Sequence, residues 1–218
     1  MIGFLGGTGP EGRSLALRLA MAGEEVAIGS RDAARAREMA QKVEARGESI
    51  SVTGGQNTEV VGMSDVIFIT VPYEGQAALL ESLAPSLACK LIVDTVAPVS
   101  FQDGIIRAID VPAGSAAQEA QSLLPNSQVV AAFQNVSAVD LWVPDRLIEG
   151  DVVVCSDHQE AKERVMALAE RIPHIRAVDG GALANARYVE EVTAMLLNIN
   201  RLYKAHTMIR IVGLPEGE

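Results

Sequence analysis

Six residues near the start of the chain carry the strongest chemical signal of the sequence, Gly7-Thr8-Gly9-Pro10-Glu11-Gly12. They follow a short apolar run and open an amphipathic stretch, so they lie where a strand gives way to a helix. The first two glycines permit a tight turn and let a pyrophosphate approach the backbone, and the third lets the helix pack closely on the strand. The helix N-terminus adds free N–H groups, and Thr8 adds a hydroxyl donor. The pattern predicts a dinucleotide site; a chance glycine-rich loop is the alternative.

The residues that end the second apolar run indicate which dinucleotide this turn accepts. Sites for NAD have an acidic residue there, which holds the ribose 2′-hydroxyl. This chain instead has Ser30 and Arg31, with Arg35 one helical turn later. A hydroxyl and two guanidinium groups form charge-assisted hydrogen bonds with a dianionic 2′-phosphate, so the sequence predicts NADP(H). The alternative is that both arginines are surface charges; Asp32 is expected to cap the following helix in either case.

Flat apolar side chains follow the third to fifth apolar runs and would suit a planar ring system, although ordinary loop packing explains them equally well. They are Val71, Pro72, Tyr73, Ala97, Pro98, Val99 and Val136. His158, His174 and His206 are scattered, and none belongs to a recognisable proton relay. A structural or solvated role is therefore the expectation for each histidine, because a catalytic base needs a special geometry.

Short apolar runs alternate with helical patterns through the first 180 residues. This alternation predicts an α/β fold of the Rossmann type, doubly wound, with a mainly parallel sheet. The predicted strands are Ile2–Leu5, Val26–Ile28, Val66–Val71, Leu91–Val93, Val129–Phe133, Val152–Cys155 and Ile175–Val178. We expect residues 1–180 to form the NADP-binding domain.

The tail, residues 181–218, is predicted as a small C-terminal helical region with one long helix from about Leu183 to Ala205. Apolar residues recur there at spacings of three and four, which gives the helix one apolar face. They are Val189, Val192, Leu196, Ile199 and Tyr203. This face either packs on its own domain or forms a subunit contact that also closes the substrate side, and the second possibility predicts a homodimer.

Composition excludes several classes of protein. The formal net charge of −10 argues against nucleic acid or an anionic membrane as a partner, because phosphate surfaces attract basic proteins. Cys89 and Cys155 form no CxxC pair or Cys/His cluster, so no metal site is expected. No apolar stretch approaches the roughly 20 residues of a membrane helix. We expect a soluble cytoplasmic protein that acts on a small molecule.

With these residues in view, the sequence resembles the F420H2:NADP oxidoreductases, also called NADPH-dependent F420 reductases. The resemblance covers most of the chain and is carried by Leu5-Gly6-Gly7-Thr8-Gly9, Gly29-Ser30-Arg31, Thr70-Val71-Pro72, Pro98-Val99-Ser100, Ser137-Ala138, Asp179-Gly180-Gly181 and Leu196-Leu197-Asn198-Ile199. It implies an enzyme that transfers hydride between NADP(H) and the deazaflavin coenzyme F420. The two coenzymes carry that chemistry, so no catalytic acid or base is required of the protein.

The resemblance also implies roles for individual residues. In the family, the nicotinamide is lined by the counterparts of Val71 and Ala97, with Pro72 beside them; Ala138 meets its carboxamide through the backbone, and Met208 touches the deazaflavin. The resemblance implies that Thr8, Gly9, Pro10 and Glu11 hold the pyrophosphate and that Ser30, Arg31 and Arg35 hold the 2′-phosphate.

One departure from the family pattern lies on the deazaflavin side. Family members carry a His followed by Thr in the loop after the fifth strand, where this chain has Gln134-Asn135. Gln donates and accepts hydrogen bonds, so we expect a pocket of altered chemistry, with Val136 as an apolar neighbour.

Two other functions are compatible with an NADP site. The first is a reductase of a different acceptor, such as a small carbonyl, an imine or a flavin-like molecule. Reductases of carbonyls and imines need a proton donor near the nicotinamide, often a Lys on the long helix, whereas Lys204 lies only near the end of this one. The second is an NADPH-binding sensor without turnover.

Overall fold

The computed structural model describes residues 1–102 and 104–214. In the first half of the chain, strands and helices alternate as β1 (Ile2–Leu5), α1 (Pro10–Met21), β2 (Val26–Ser30), α2 (Ala33–Glu44), β3 (Val52–Gln56), α3 (Asn57–Met63), β4 (Val66–Ile69), α4 (Tyr73–Leu87) and β5 (Leu91–Asp94). The second half contains β6 (Val99–Gln102), β7 (Ile105–Ala108), α5 (Ala116–Leu123), β8 (Gln128–Ala131), α6 (Ala138–Leu141), β9 (Gly150–Val154), α7 (Gln159–Glu170), β10 (Ile175–Asp179), a 3-10 turn (Leu183–Asn185) and α8 (Ala186–Tyr203).

The centre of the fold is a six-stranded sheet in the order β3-β2-β1-β4-β5-β8, in which every neighbouring pair is parallel. This is the strand order of a doubly wound Rossmann sheet. β1, β4 and β5 are buried throughout, as parallel strands covered on both faces are. On one face the Phe4 and Phe68 rings stack with their centroids 4.8 Å apart. The predicted fold class is confirmed.

The last two predicted strands exist, but they do not extend this sheet as the alternation of strands and helices implied. β9 and β10 form a parallel pair of their own, and they meet the central sheet through one antiparallel bridge between Ala131 and Cys155. The two residues exchange main-chain hydrogen bonds of 2.9 and 3.0 Å. Because the chain runs in the opposite direction after β8, the parallel order ends there.

Further elements, α6 among them, lie where the sequence pattern gave no strand or helix. β3 and α3 precede the predicted third strand, and the β6–β7 hairpin occupies the segment that was expected to be a loop before α5. β3 reads VTGGQ, and as an edge strand only two of its five residues are buried, so it lacks an apolar run. The hairpin is attached to α8 by Asn198, whose Nδ2 donates to the main-chain oxygen of Ile106 at 2.7 Å.

The predicted C-terminal helix is present as α8. It begins three residues later than predicted because a 3-10 turn precedes it. Lys204 ends the helix in the left-handed conformation, with φ 51°. Its buried residues include Glu190, Ala194 and Leu196. After the helix the chain returns to β9, where the Asp151 N–H donates to the oxygen of Ile209 at 2.8 Å. The division of the chain at residue 180 stays a prediction.

A buried arginine fixes the segment around α6 against α1. Arg18 is 6% exposed and donates to five main-chain oxygens between residues 140 and 146, for example from Nε to Leu141 at 2.8 Å. Its charge is therefore surrounded by acceptors, as a buried guanidinium requires. Ser14, one turn earlier on α1, donates to the oxygen of Ala138 at 2.8 Å. Ala138 is thereby held beside the first helix.

No helix within residues 1–102 and 104–214 combines the length and apolar character that a membrane crossing needs.

Candidate functional site

A cavity of about 1280 Å³ opens at the carboxyl ends of the central strands. It is lined by the β1–α1 turn, by the residues that follow β2 to β5, and by α4. Gln134, after β8, and Thr193, on α8, complete its far end. Parallel α/β sheets bind ligands at this edge, at the point where the strand order reverses, which here lies between β1 and β4.

The glycine turn forms the centre of the cavity. A Cβ on Gly7 would lie 2.8 Å from the Phe4 Cβ, and one on Gly12 would lie 2.5 Å from the Thr70 Oγ1, so both positions need the close approach that only glycine allows. At Gly9 the nearest atom would be 3.5 Å away, which leaves room for a ligand against the backbone. The left-handed residue of the turn is Gly6, with φ 72°, and not Gly7, to which the sequence pattern assigned the tight turn.

The first turn of α1 faces the cavity with its backbone donors. Gly9 is the N-cap residue and supplies no side chain, and Pro10 begins the helix. The N–H groups of the first turn therefore have no capping side chain and suit an anion. Glu11 lines the same wall, and its Oε1 is buried without a hydrogen-bond partner in the described part of the chain. Burial raises the pKa of this carboxyl to about 8.

The residues predicted to select NADP lie together at one end of the cavity. Asp32 caps α2, as predicted, because its Oδ1 accepts from the N–H groups of Ala34 at 2.8 Å and Arg35 at 3.3 Å. The Ser30 Oγ accepts from the Asp32 N–H at 3.2 Å. Arg31 and Arg35 are exposed, line the cavity and form no ion pair with any described residue. Two uncommitted positive charges beside a hydroxyl can bind a phosphate.

This end of the cavity has further walls that the sequence analysis missed. They come from the β3–α3 junction and from one face of α4, and they comprise Gln56, Asn57, Thr58, Ala78, Leu79, Ser82 and Leu83. β3 went unrecognised because it lacks an apolar run, so the residues that follow it carried no positional signal. The α4 residues follow an ordinary helical pattern, which does not distinguish a cavity wall from a core face.

The other end of the cavity is apolar and includes the predicted nicotinamide-side residues Val71, Pro72 and Ala97. Beneath it lies Asp94, which is fully buried, and burial raises the pKa of its carboxyl well above the usual range. The Asp94 Oδ1 accepts from the Val96 N–H at 2.9 Å, and Oδ2 accepts from the Gln76 Nε2 at 3.0 Å. The carboxyl therefore holds the loop after β5 in place.

Gln134 is fixed at this same end. Its Nε2 donates to the main-chain oxygen of Asp94 at 2.9 Å, and its own main-chain oxygen accepts from the Thr193 Oγ1 at 3.1 Å. The Gln134 Oε1 is buried without a partner among the described residues. The predicted substrate-side glutamine is thus held rigidly in the cavity wall, with one buried acceptor that no described residue satisfies.

Comparison with known proteins identifies the family. A family model described as NADP oxidoreductase, coenzyme F420-dependent, matches residues 1–98. The F420-dependent NADP reductase of Methanothermobacter thermautotrophicus is 42% identical over 100% of this chain and 97% of its own length. The chain belongs to the F420-dependent NADP reductases. The reductase of the same name from Methanocaldococcus jannaschii is 36% identical over 98% of both chains.

A solved structure supports the fold independently. A protein from Arthrobacter sp. FB24 that has been assigned as an F420-dependent NADP reductase superposes with a TM-score of 0.82, over 97% of this chain and 99% of its own, at 24% identity. Membership of the family confirms the predicted oxidoreductase activity, hydride transfer between NADP(H) and F420, over the two alternative functions. The cavity fits this assignment, since it combines an open glycine turn with two arginines that pair with no carboxylate in the described part of the chain.

Seven of the predicted site residues lie outside the cavity wall, and two of them are Pro98 and Val99, where β6 begins. Gly7 and Gly12 lie beneath the turn and allow its close packing, and Val136 is buried against the core. Ala138 lies on α6 beside Ser14. Met208 packs against Gly150 at the start of β9. Contacts of these residues with a coenzyme stay predictions.

Proposed function

We propose that this protein transfers hydride between NADP(H) and F420 within the cavity, with the adenosine end of NADP at β2 and the nicotinamide beside Val71 and Ala97. The observation that carries the proposal is the continuity of one cavity from the unpaired Arg31 and Arg35, past the glycine turn, to Gln134. A dinucleotide needs such an elongated site, with positive charge at one end and apolar walls at the other.

At the adenosine end, Ser30, Arg31 and Arg35 hold the 2′-phosphate. Their guanidinium groups have no competing carboxylate partner among the described residues, so a phosphate would satisfy them. In the middle, Thr8, Gly9, Pro10 and Glu11 surround the pyrophosphate, and the N-terminus of α1 supplies the hydrogen bonds.

At the nicotinamide end, the apolar side chains of Val71, Pro72 and Ala97 exclude water and keep the rings at a fixed separation. The bound coenzymes supply the chemistry, a direct two-electron transfer from the nicotinamide C4 to the deazaflavin C5 or its reverse. Gln134 lines this end of the cavity. Contacts of Ala138, Val136 and Met208 with the rings are expected from the family resemblance alone. No proton transfer by a side chain is needed for this hydride step.

The decisive experiment follows the oxidation of NADPH by stopped flow, with F420 as the acceptor, at one mildly acidic and one mildly alkaline pH. We expect a transient that requires both reactants. A flat trace at both pH values would reject F420 as the acceptor. In that case, a titration of NADPH fluorescence in the absence of F420 would separate loss of the acceptor from loss of the cofactor site.

We also propose that the protein is a homodimer that works in the cytoplasm, where both coenzymes are dissolved. The dimer is supported by a group of exposed apolar side chains on α8 and the β6–β7 hairpin. They include Phe101, Tyr188, Met195, Leu202 and Tyr203. Burying them between two copies would remove apolar surface from water. A monomeric mass by light scattering at micromolar concentration would reject the dimer, and cell fractionation tests the location.

A further inference from the structure

Asn57 lies in the cavity wall at the end that contains Ser30 and Arg31, and it has no role in the site described so far. It is the first residue of α3 and follows β3 directly. Only 8% of the residue is exposed. Its Oδ1 is buried and has no hydrogen-bond partner in the described part of the chain. The Asn57 Nδ2 also forms no hydrogen bond with a described residue, and because the residue lines the cavity, this donor is the atom that a ligand can satisfy.

The sheet brings Asn57 to the 2′-phosphate end. β2 and β3 are parallel, and their register pairs Ser30 with Gln56. The residues that follow these two positions, Arg31 and Asn57, therefore emerge from the same edge of the sheet. The proximity is also visible at Gly29, where a Cβ would lie 2.6 Å from the Asn57 Oδ1.

The nearby negative charges are already engaged by main-chain donors. Asp32 accepts from the N–H groups at the start of α2. Glu59, one turn into α3, accepts from the Gln56 N–H at 2.7 Å through Oε2. Neither carboxylate forms an ion pair with Arg31 or Arg35, so within residues 1–102 and 104–214 no carboxylate competes with an anion for the two arginines.

The packing of the amide indicates which of its atoms meets a ligand. The Oδ1 lies against the Gly29 backbone, where any larger residue would displace it. The Nδ2 forms no hydrogen bond with the described residues and, unlike Oδ1, is not fully buried, and the residue lines the cavity. The opposite orientation of the amide would turn an oxygen toward an anionic ligand and would be repelled. The amide therefore presents a neutral N–H donor.

We infer that Asn57 is a further 2′-phosphate-binding residue, whose Nδ2 donates to a phosphate oxygen and so helps to select NADP(H) over NAD(H). The inference rests on the proposed phosphate site at Ser30, Arg31 and Arg35. A phosphate oxygen only accepts hydrogen bonds, so a neutral amide donor adds to the attraction of the two arginines, whereas a carboxylate in its place would oppose it.

The test measures dissociation constants of NADPH and NADH by nicotinamide fluorescence, without F420. The isosteric variant Asn57→Asp exchanges the donor for a negative charge, and we expect the NADPH constant to rise about tenfold or more while that of NADH changes less than about twofold. Asn57→Ala removes only the donor and should have a smaller effect of the same selectivity. The matched control is Asn126→Asp, which adds the same charge in an exposed turn outside the cavity.

An equal loss for NADPH and NADH would overturn the inference, because Asn57 would then contact a group that both coenzymes share. No change for either would overturn it as well. If Asn57→Asp does not fold, as judged by circular dichroism, Asn57→Ala decides between the same outcomes. Arg31→Ala distinguishes failure of the phosphate site from failure of Asn57. If Arg31→Ala also weakens NADPH and NADH equally, the proposed phosphate site is wrong. If Arg31→Ala weakens NADPH selectively but Asn57→Asp does not, only the role of Asn57 is wrong.

Discussion

The Gln134 Nε2 donates a hydrogen bond to the main-chain oxygen of Asp94 at 2.9 Å. The Asp94 carboxyl in turn accepts from the Val96 N–H, so the loop after β5 and the loop after β8 are connected through one buried residue. This connection leaves the Gln134 Oε1 as an acceptor of fixed position at the cavity wall.

The fixed acceptor predicts a selective effect of Gln134→Leu, which keeps the approximate size of the side chain but removes both polar atoms. Loss of this hydrogen bond leaves a donor of the ligand unpaired, which costs about 1–3 kcal/mol, whereas the Asp94 oxygen keeps its hydrogen bond from the Ala132 N–H at 3.1 Å. We expect the Michaelis constant for F420 to rise about tenfold or more, with little change in NADPH binding, as measured by steady-state kinetics and by fluorescence titration. A larger loss for NADPH than for F420 would show that the acceptor serves the nicotinamide instead.

The two unpaired arginines give the second prediction. Arg31→Ala should raise the Michaelis constant for NADP strongly, by about tenfold to a hundredfold, and affect NAD little, because a phosphate hydrogen bond to a charged group is worth about 1.5–3 kcal/mol. Arg37→Ala is the matched control, since Arg37 is an exposed arginine on the same helix that does not line the cavity. If the Michaelis constants for NADP and NAD rose equally, Arg31 would not be a 2′-phosphate-binding residue.

The parts of the site that could be predicted from the sequence are those with a local signal. The glycine turn and the Ser30-Arg31 pair each follow a buried apolar strand within a few residues, so their place at the sheet edge can be inferred from the pattern alone. The N-cap role of Asp32 is also local, because it depends only on the next three residues. The role of Gln134, by contrast, was accessible only through resemblance to a family.

Other features depend on contacts between distant parts of the chain. Asn57 reaches the cavity because an edge strand without an apolar run lies beside β2, and no periodicity predicts that pairing. β9 and β10 have ordinary strand patterns, yet their direction depends on the bridge between Ala131 and Cys155. Likewise, the sequence pattern indicates a surface position for Arg18 on α1, whereas in the structure the carbonyl groups of residues 140–146 enclose it.

The raised pKa of Glu11 predicts that coenzyme binding depends on pH. With a pKa of about 8, this carboxyl is mostly neutral at pH 7, so the dianionic pyrophosphate is not repelled. Above the pKa a carboxylate faces the phosphates, and we expect the dissociation constant of NADP to rise between about pH 7 and about pH 9. The 2′-phosphate contributes little to a change over this range, because its second pKa lies near 6.

The charged neighbours of Glu11 do not offer another explanation for such a dependence. Burial, and not a neighbouring charge, raises the pKa of Glu11. Glu11→Gln keeps the shape of the side chain without titrating, so its dissociation constant for NADP should stay level across this range. A wild-type curve that is equally level would contradict the assignment of Glu11 to the pyrophosphate wall.

Glu190 on α8 caps a helix of the central domain, and this predicts a stability that falls with rising pH. Its carboxylate oxygens accept from the N–H groups of Ala116 at 2.8 Å and Ala117 at 3.2 Å, at the start of α5. Burial outweighs these hydrogen bonds and raises the pKa to about 7. Since the pKa in the folded protein is higher than that of an unfolded chain, the folded state holds the proton more tightly. The contribution of Glu190 is then complete below about pH 4.5 and declines as the pH rises through 7.

The measurement compares the free energy of unfolding of the wild type and Glu190→Gln in denaturant from about pH 5 to about pH 8. The variant cannot titrate at this position, and its amide nitrogen faces a backbone donor, so it should be less stable by about 1–3 kcal/mol at pH 5. As the pH rises, the wild type loses stability that the variant does not, and the difference should narrow. Glu160→Gln, at an exposed position of α7, is the control and should show no such trend. A constant difference across this range would mean that Glu190 keeps one protonation state throughout.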